Sequence, residues 1–128
     1  MSTPKTVLIV EDNAKNMKLV RDLLQHQGYR TLEAEAGEPG VALALSERPD
    51  LVLMDIQLPD ISGVAALARI REDRSLDAMP VLAVSASVMP DEQQRIVASG
   101  FDGFIAKPIS LKSFLGAVEQ ALAKGRAR

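Results

Sequence analysis

Five short apolar, β-branched stretches recur along this chain: Val7–Val10, Arg30–Ala34, Leu51–Met54, Val81–Val84 and Gly103–Ala106. Each is too short for a helix and is bounded by turn-forming or charged residues, which predicts strands. Helical stripes fill the gaps. Met17, Val20, Leu23 and Leu24 form the first, and Gly28 stops it as a C′ residue. Val41, Ala44 and Leu45 make a shorter stripe ahead of Pro49, and Val64, Leu67 and Ile70 follow Gly63. Leu111, Phe114, Leu115, Val118 and Leu122 form the cleanest set, ended by Gly125. Asp91–Ser99 is the weakest, with apolar residues only at Ile96, Val97 and Ala98; Pro90 suits its first helical position.

Strand–helix alternation repeated in this way implies an α/β architecture: a mainly parallel sheet, helices on both faces, right-handed crossovers. The economical order for five such strands is 2-1-3-4-5, the doubly wound flavodoxin-like (βα)5 topology. Val7–Val10 and Leu51–Met54 are continuously apolar, as central strands covered on both faces must be, whereas Arg30–Ala34 alternates like an edge. The chain has 128 residues and only 3% aromatics with no Trp, so Val, Ile, Leu, Met and Ala must build its core. That length is one domain's worth, since chains split only beyond roughly 250 residues. The expected division is a core over about 6–122, a basic tail at 123–128 and no output domain.

Charge and chemistry narrow the classes further. A formal net charge of −2 argues against an electrostatic nucleic-acid binder. The absence of Cys removes disulfides, thiolate metal sites and thiol nucleophiles. No apolar run approaches the ~20 residues of a membrane span, and Met1–Lys5 carries no secretory signal. The expectation is a cytoplasmic domain without membrane insertion or direct nucleic-acid contact.

In such a fold ligands bind outside the carboxyl ends of strands 1 and 3, where the strand order reverses. The residues leaving the strands are therefore decisive. Strand 1 ends in Glu11-Asp12, strand 3 in Asp55, strand 4 in Ser85 and strand 5 in Lys107. Each has an ordinary explanation alone: Asp12 or Asn13 as a helix cap, Asp55 as a turn residue, Ser85 as a loop hydroxyl, Lys107 as a surface lysine. Together they are harder to dismiss, because three crowded carboxylates repel one another without a cation. Clustered carboxylates with a backbone carbonyl and waters form a hard-oxygen site suited to Mg²⁺. A lysine does not help to bind that cation. It makes sense if a further anion arrives, such as a phosphoryl group carried by one of the carboxylates, which Ser85 would then reach.

These strand ends, the loop Asp55-Ile56-Gln57-Leu58-Pro59-Asp60-Ile61-Ser62-Gly63 and Lys107-Pro108 resemble a response-regulator receiver domain of two-component signalling, from about Thr6 to Leu122. The opening Val10–Leu19, the Gln27-Gly28-Tyr29 turn and Lys107-Pro108-Ile109-Ser110 further resemble DivK-like stand-alone regulators of cell division. The resemblance implies Asp55 as phosphoacceptor. It implies Mg²⁺ held by Asp12, Asp55 and the Gln57 backbone carbonyl, with Glu11 helping through water. Lys107 and Ser85 would contact the phosphoryl oxygens, and Phe104 would be the aromatic whose position reports the state. Amide chemistry makes a trans Lys107–Pro108 bond the default, whereas the resemblance implies cis. Ser85 stands where the family more often has Thr, and Phe104 where Tyr is frequent.

The resemblance implies a phosphorylation-controlled binding switch, not an enzyme with an external substrate. Its donor would be a sensor histidine kinase or a histidine phosphotransfer protein. Its output would be a protein target read by the face of helix 4, strand 5 and helix 5. The alternatives are a receiver-like scaffold not controlled by phosphorylation, an FMN-binding flavodoxin-like carrier and a Mg²⁺-dependent phosphatase. Glu11-Asp12 would repel a flavin phosphate, and the length leaves little room for a phosphatase cap. Ser87-Val88-Met89-Pro90 enters the fourth helix stiffly, and His26, the single histidine, reads as a solvated helix-terminal residue.

Overall fold

The structure is a computed structural model and describes residues 4–86 and 89–125. Strands β1 (Thr6–Val10), β2 (Arg30–Ala34), β3 (Leu51–Asp55), β4 (Val81–Ser85) and β5 (Gly103–Ala106) alternate with helices α1 (Ala14–His26), α2 (Gly37–Glu47), α3 (Gly63–Arg71), α4 (Pro90–Ala98) and α5 (Leu111–Lys124). All strand pairs are parallel and the order is β2-β1-β3-β4-β5, as the alternation predicts. β2 lies at an edge, and β1 and β3 are covered on both faces. Ser87 and Val88, with the last residues of the basic tail, fall outside the described residues.

Side chains alternate across a strand, so each strand feeds two cores. Leu8, Val10, Val52, Met54, Val81 and Ala83 meet α2, α3 and Ile96 of α4 on one face. Val7, Ile9, Leu51, Leu53, Leu82, Val84 and Ile105 meet Met17, Val20 and Leu24 of α1 and Phe114 and Val118 of α5 on the other. Truncating a fully buried anchor such as Leu24 to Ala removes about 2–5 kcal/mol of stability. The aliphatic core expected from the composition is what forms.

Three stripe residues, Leu45, Val64 and Leu111, are exposed, as is Val97 of the weakly patterned fourth helix. On α3 the buried set is Gly63, Ala66, Leu67 and Ile70, a true i, i+3, i+4, i+7 row that uses small residues where the helix lies close to the sheet. Val64 sits about 100° round the helix from Gly63 and faces solvent. On α2 the buried residues are Gly37, Gly40, Val41 and Ala44, again a row with two glycines, and Leu45 falls beside it. Leu111 opens α5 one turn before Phe114, ahead of the buried stretch. α4 buries only Ile96, in line with its poor pattern.

The helix signals hold. Gly28 has φ +92° immediately after the α1 C-cap Gln27, and Pro90 occupies the first turn of α4. A one-turn 3₁₀ helix at Arg74–Leu76, capped by Asp73, has no counterpart among the expected elements. His26 is exposed at the end of α1. No helix among the described residues is long and apolar enough to cross a membrane.

Candidate functional site

β3 and β4 run one residue further than their apolar stretches. The ladder continues until Asp55 lies opposite Val84 and Ser85 opposite Ala106. The two polar residues are therefore fixed by sheet hydrogen bonds and not by loops. Glu11 is held similarly, its amide donating to the Ala34 carbonyl at 3.0 Å. The Lys107 amide donates to the Ser85 carbonyl at 2.9 Å, which fixes the start of the lysine, and the Lys107–Pro108 peptide is cis.

The side chains then converge. Glu11, Asp12 and Asp55 each present a carboxylate oxygen within 4.8 Å of the others. Glu11 and Asp55 are buried, at 4% and 5% exposure, while Asp12 opens to solvent. Lys107 Nζ lies 2.8 Å from Asp55 Oδ2 and 2.9 Å from Glu11 Oε1, tying two of the three carboxylates together. The second Asp55 oxygen accepts the Gln57 amide at 3.2 Å, and Glu11 Oε2 accepts the Asn13 amide at 3.1 Å. Of the two candidate helix caps, Asn13 does the work: its side chain accepts the Asn16 amide at 3.0 Å. Asp12 is thereby left to face the cleft.

The loop after β3 folds back on itself. Gly63 donates to the Ile56 carbonyl at 2.9 Å, and a Cβ there would collide with the Asp55 carbonyl oxygen, so any larger residue would force the loop away from Asp55. The cleft that results holds about 670 Å³ and is lined by Glu11, Asp12, Asp55, Gln57, Ser85 and Lys107 among others. Every rim residue singled out in the sequence, except Phe104 and Pro108, lines this one cleft. Phe104 lies half-buried beyond it, between α4 residues such as Pro90 and Val97 on one side and α5 residues such as Ser113 and Ala117 on the other.

Asn16 and Glu92 also line the cleft and were not among the expected site residues. Asn16 is a helical residue that reaches the cleft from the first turn of α1. Glu92 carries only an ordinary first-turn signal in the sequence, and its place at the mouth follows from how α4 docks.

The electrostatics reflect crowding. Burial pushes the Glu11 carboxyl above the ordinary glutamate value; Lys107 and the Asn13 amide pull against the rise, and Asp55 adds to it. Burial alone would lower Lys107, but hydrogen bonds to Asp55 and Glu11 outweigh it and hold the ammonium above the ordinary lysine value. One cation among three carboxylates leaves a net negative site. Carboxylate oxygens gathered within 4.8 Å of one another, with carbonyl oxygens nearby, are the hard donors that Mg²⁺ takes, so the donor set fits that ion.

Comparison with known proteins agrees with this geometry. A family model described as the response regulator receiver domain matches residues 7–119. The polar-differentiation response regulator DivK of Brucella anthropi is 44% identical over 119 residues, covering 93% of this chain and 97% of that protein. Among solved structures, the receiver domain of sensor histidine kinase PA1611 from Pseudomonas aeruginosa PAO1 superposes with a TM-score of 0.87 at 26% identity, covering 94% of this chain and 99% of that one. That structure has a magnesium ion coordinated in its active-site cleft. A CheY-like receiver domain protein from Methanospirillum hungatei JF-1 gives a TM-score of 0.85 at 26% identity, covering 94% and 95%.

Proposed function

Because this chain belongs to the response regulator receiver domain family, we propose that Asp55 accepts a phosphoryl group from a phosphohistidine and that the resulting charge switches the protein's affinity for protein partners. The observation that carries this reading is the pairing of the buried Asp55 with Lys107 at the floor of an acid-lined cleft. The donor is a sensor histidine kinase or a histidine phosphotransfer protein. A carboxylate oxygen of Asp55 attacks phosphorus, the P–N bond breaks, and the imidazole leaves with the bonding pair. Asp12, Asp55 and the Gln57 carbonyl would hold Mg²⁺, with Glu11 acting through water; the ion would neutralise phosphoryl oxygens in flight. Lys107 is poised to give up one of its two carboxylate contacts for a phosphoryl oxygen, and the Ser85 hydroxyl, at the end of the adjacent strand, donates to another.

Phosphorylation adds about −1.5 to −2 charges beside these groups. Movement of Ser85 toward the phosphoryl group draws on the space next to β5, where Phe104 lies half-buried. α4, held by Ile96 as its one buried residue, is the element free to follow. The output face is therefore α4, β5 and α5, and the downstream target is a protein. The likeness to DivK supports a place in control of cell division or polarity.

Incubation with acetyl phosphate and Mg²⁺ tests the proposal. Intact-mass measurement is expected to show one added phosphoryl group on the native chain and none on Asp55→Asn. An unchanged native mass, or modification that survives in the variant, overturns it.

A further inference from the structure

α2 begins without a cap of its own. Its N-cap residue, Ala36, has an extended backbone and no side-chain acceptor. The first amides of an α-helix have no partner within the helix and need one from outside. Here Gly37 and Glu38 donate to Asp60 Oδ1 and Oδ2, both at 2.7 Å, from more than twenty residues away in sequence. Asp60 belongs to the loop between β3 and α3, three residues after Gln57. Ile61 reinforces the contact: a Cβ on Gly37 would meet its Cγ1 at 2.5 Å, so α2 and the loop touch as closely as a glycine allows. The side chain of the same Glu38 pairs with Arg69 of α3.

The loop is thus held at two points. Gly63 N to Ile56 O closes its base, and Asp60 pins its outer limb to α2. Gln57 lies between Ile56 and Asp60, and Pro59 stiffens the connection to the second pin. We propose that Asp60 is a positioning residue for the metal site, and that by capping α2 it holds the Gln57 carbonyl at the rim. The proposal rests on the receiver reading above. It goes beyond that reading in giving the acidic loop residue a role through another group, without contact to the ion.

The experiment separates positioning from plain helix capping. Asp60→Ala removes the clasp. The double variant Asp60→Ala with Ala36→Asp supplies an ordinary cap at the α2 N-cap, where the extended backbone suits one. Three quantities are read on each: Mg²⁺ affinity by titration of backbone amide shifts, hydrogen exchange of the Gly37 and Glu38 amides, and the urea midpoint. Asp60→Ala is expected to weaken Mg²⁺ binding about tenfold, as loss of an orienting partner does. The double variant is expected to recover the urea midpoint and protection of the Glu38 amide, the one an N-cap side chain reaches here because Pro39 has no N–H, while Mg²⁺ binding stays weak. Unchanged Mg²⁺ affinity in Asp60→Ala, or affinity that returns with stability in the double variant, overturns the proposal and leaves Asp60 a cap alone. If the native chain binds no Mg²⁺, the receiver reading fails first and this proposal fails with it.

Discussion

At the amino ends of the strands, Asp50 accepts the Thr6 amide at 2.8 Å, and Asp102 accepts the Val81 amide at 2.9 Å and Arg71 at 3.3 Å. At the carboxyl ends, Glu11 and Asp55 share a single ammonium while Asp12 points into the cleft. The residue types are the same, and their use is opposite. Asp50 and Asp102 each precede a strand and bridge to the first amide of its neighbour, so their charge is consumed in joining the sheet. The carboxylates at the other rim are too many for their partners, and that excess is what a metal ion and a phosphoryl group would complete. The acidic groups at the amino end bind into the sheet, whereas those at the carboxyl end outnumber the one ammonium they share.

Removing the one cation from the crowded rim is the harshest way to break the contrast. Lys107→Met leaves Glu11 and Asp55 without their ammonium, and is expected to cost about 2–3 kcal/mol, less than a fully buried broken pair because the cleft opens on solvent. Urea unfolding in Mg²⁺-free buffer measures it. The loss should shrink when Mg²⁺ is added, and a loss indifferent to Mg²⁺ would mean that the rim is a structural ion pair. At the opposite rim, Asp102→Ala strips an acceptor from Val81 and a partner from Arg71, for an expected loss of about 1–2 kcal/mol. Phosphoryl incorporation measured by mass should not change; if it falls, the two ends are coupled. The smallest effect has the opposite sign. Asp12→Asn relieves repulsion and is expected to raise stability by about 0.5–1 kcal/mol in Mg²⁺-free urea unfolding. Destabilisation there would show that the carboxyl rim is not overcharged.

The rim was legible in the sequence because it depends on strand ends alone. Once Val7–Val10, Leu51–Met54 and Val81–Val84 are parallel neighbours, Glu11-Asp12, Asp55 and Ser85 must emerge together, whatever the helices do. Helix faces were less legible. The apolar spacing of Val64, Leu67 and Ile70 suggests a stripe, but the buried row is Gly63, Ala66, Leu67 and Ile70, because a helix lying close to a sheet needs small residues at the contact. Asp60 is one residue of the loop after Pro59, and nothing near it in sequence identifies the amides it receives. Glu92 is equally silent, since a first-turn acid is ordinary on any helix.

The strand–helix alternation and the convergence of Glu11, Asp12, Asp55, Ser85 and Lys107 are written in the sequence, since they follow from short apolar stretches and the residues that end them, and the strand order is the economical one for that alternation. That Lys107 ties Glu11 to Asp55, that Asn13 caps α1 in place of Asp12 and that Asp60 caps α2 emerged with the folded chain. The physical reason is one of range. Strand order is dictated by local hydrophobic pattern and chain handedness. The partner of a polar group is chosen among everything that folding brings within 3 Å, and that choice has no local signature.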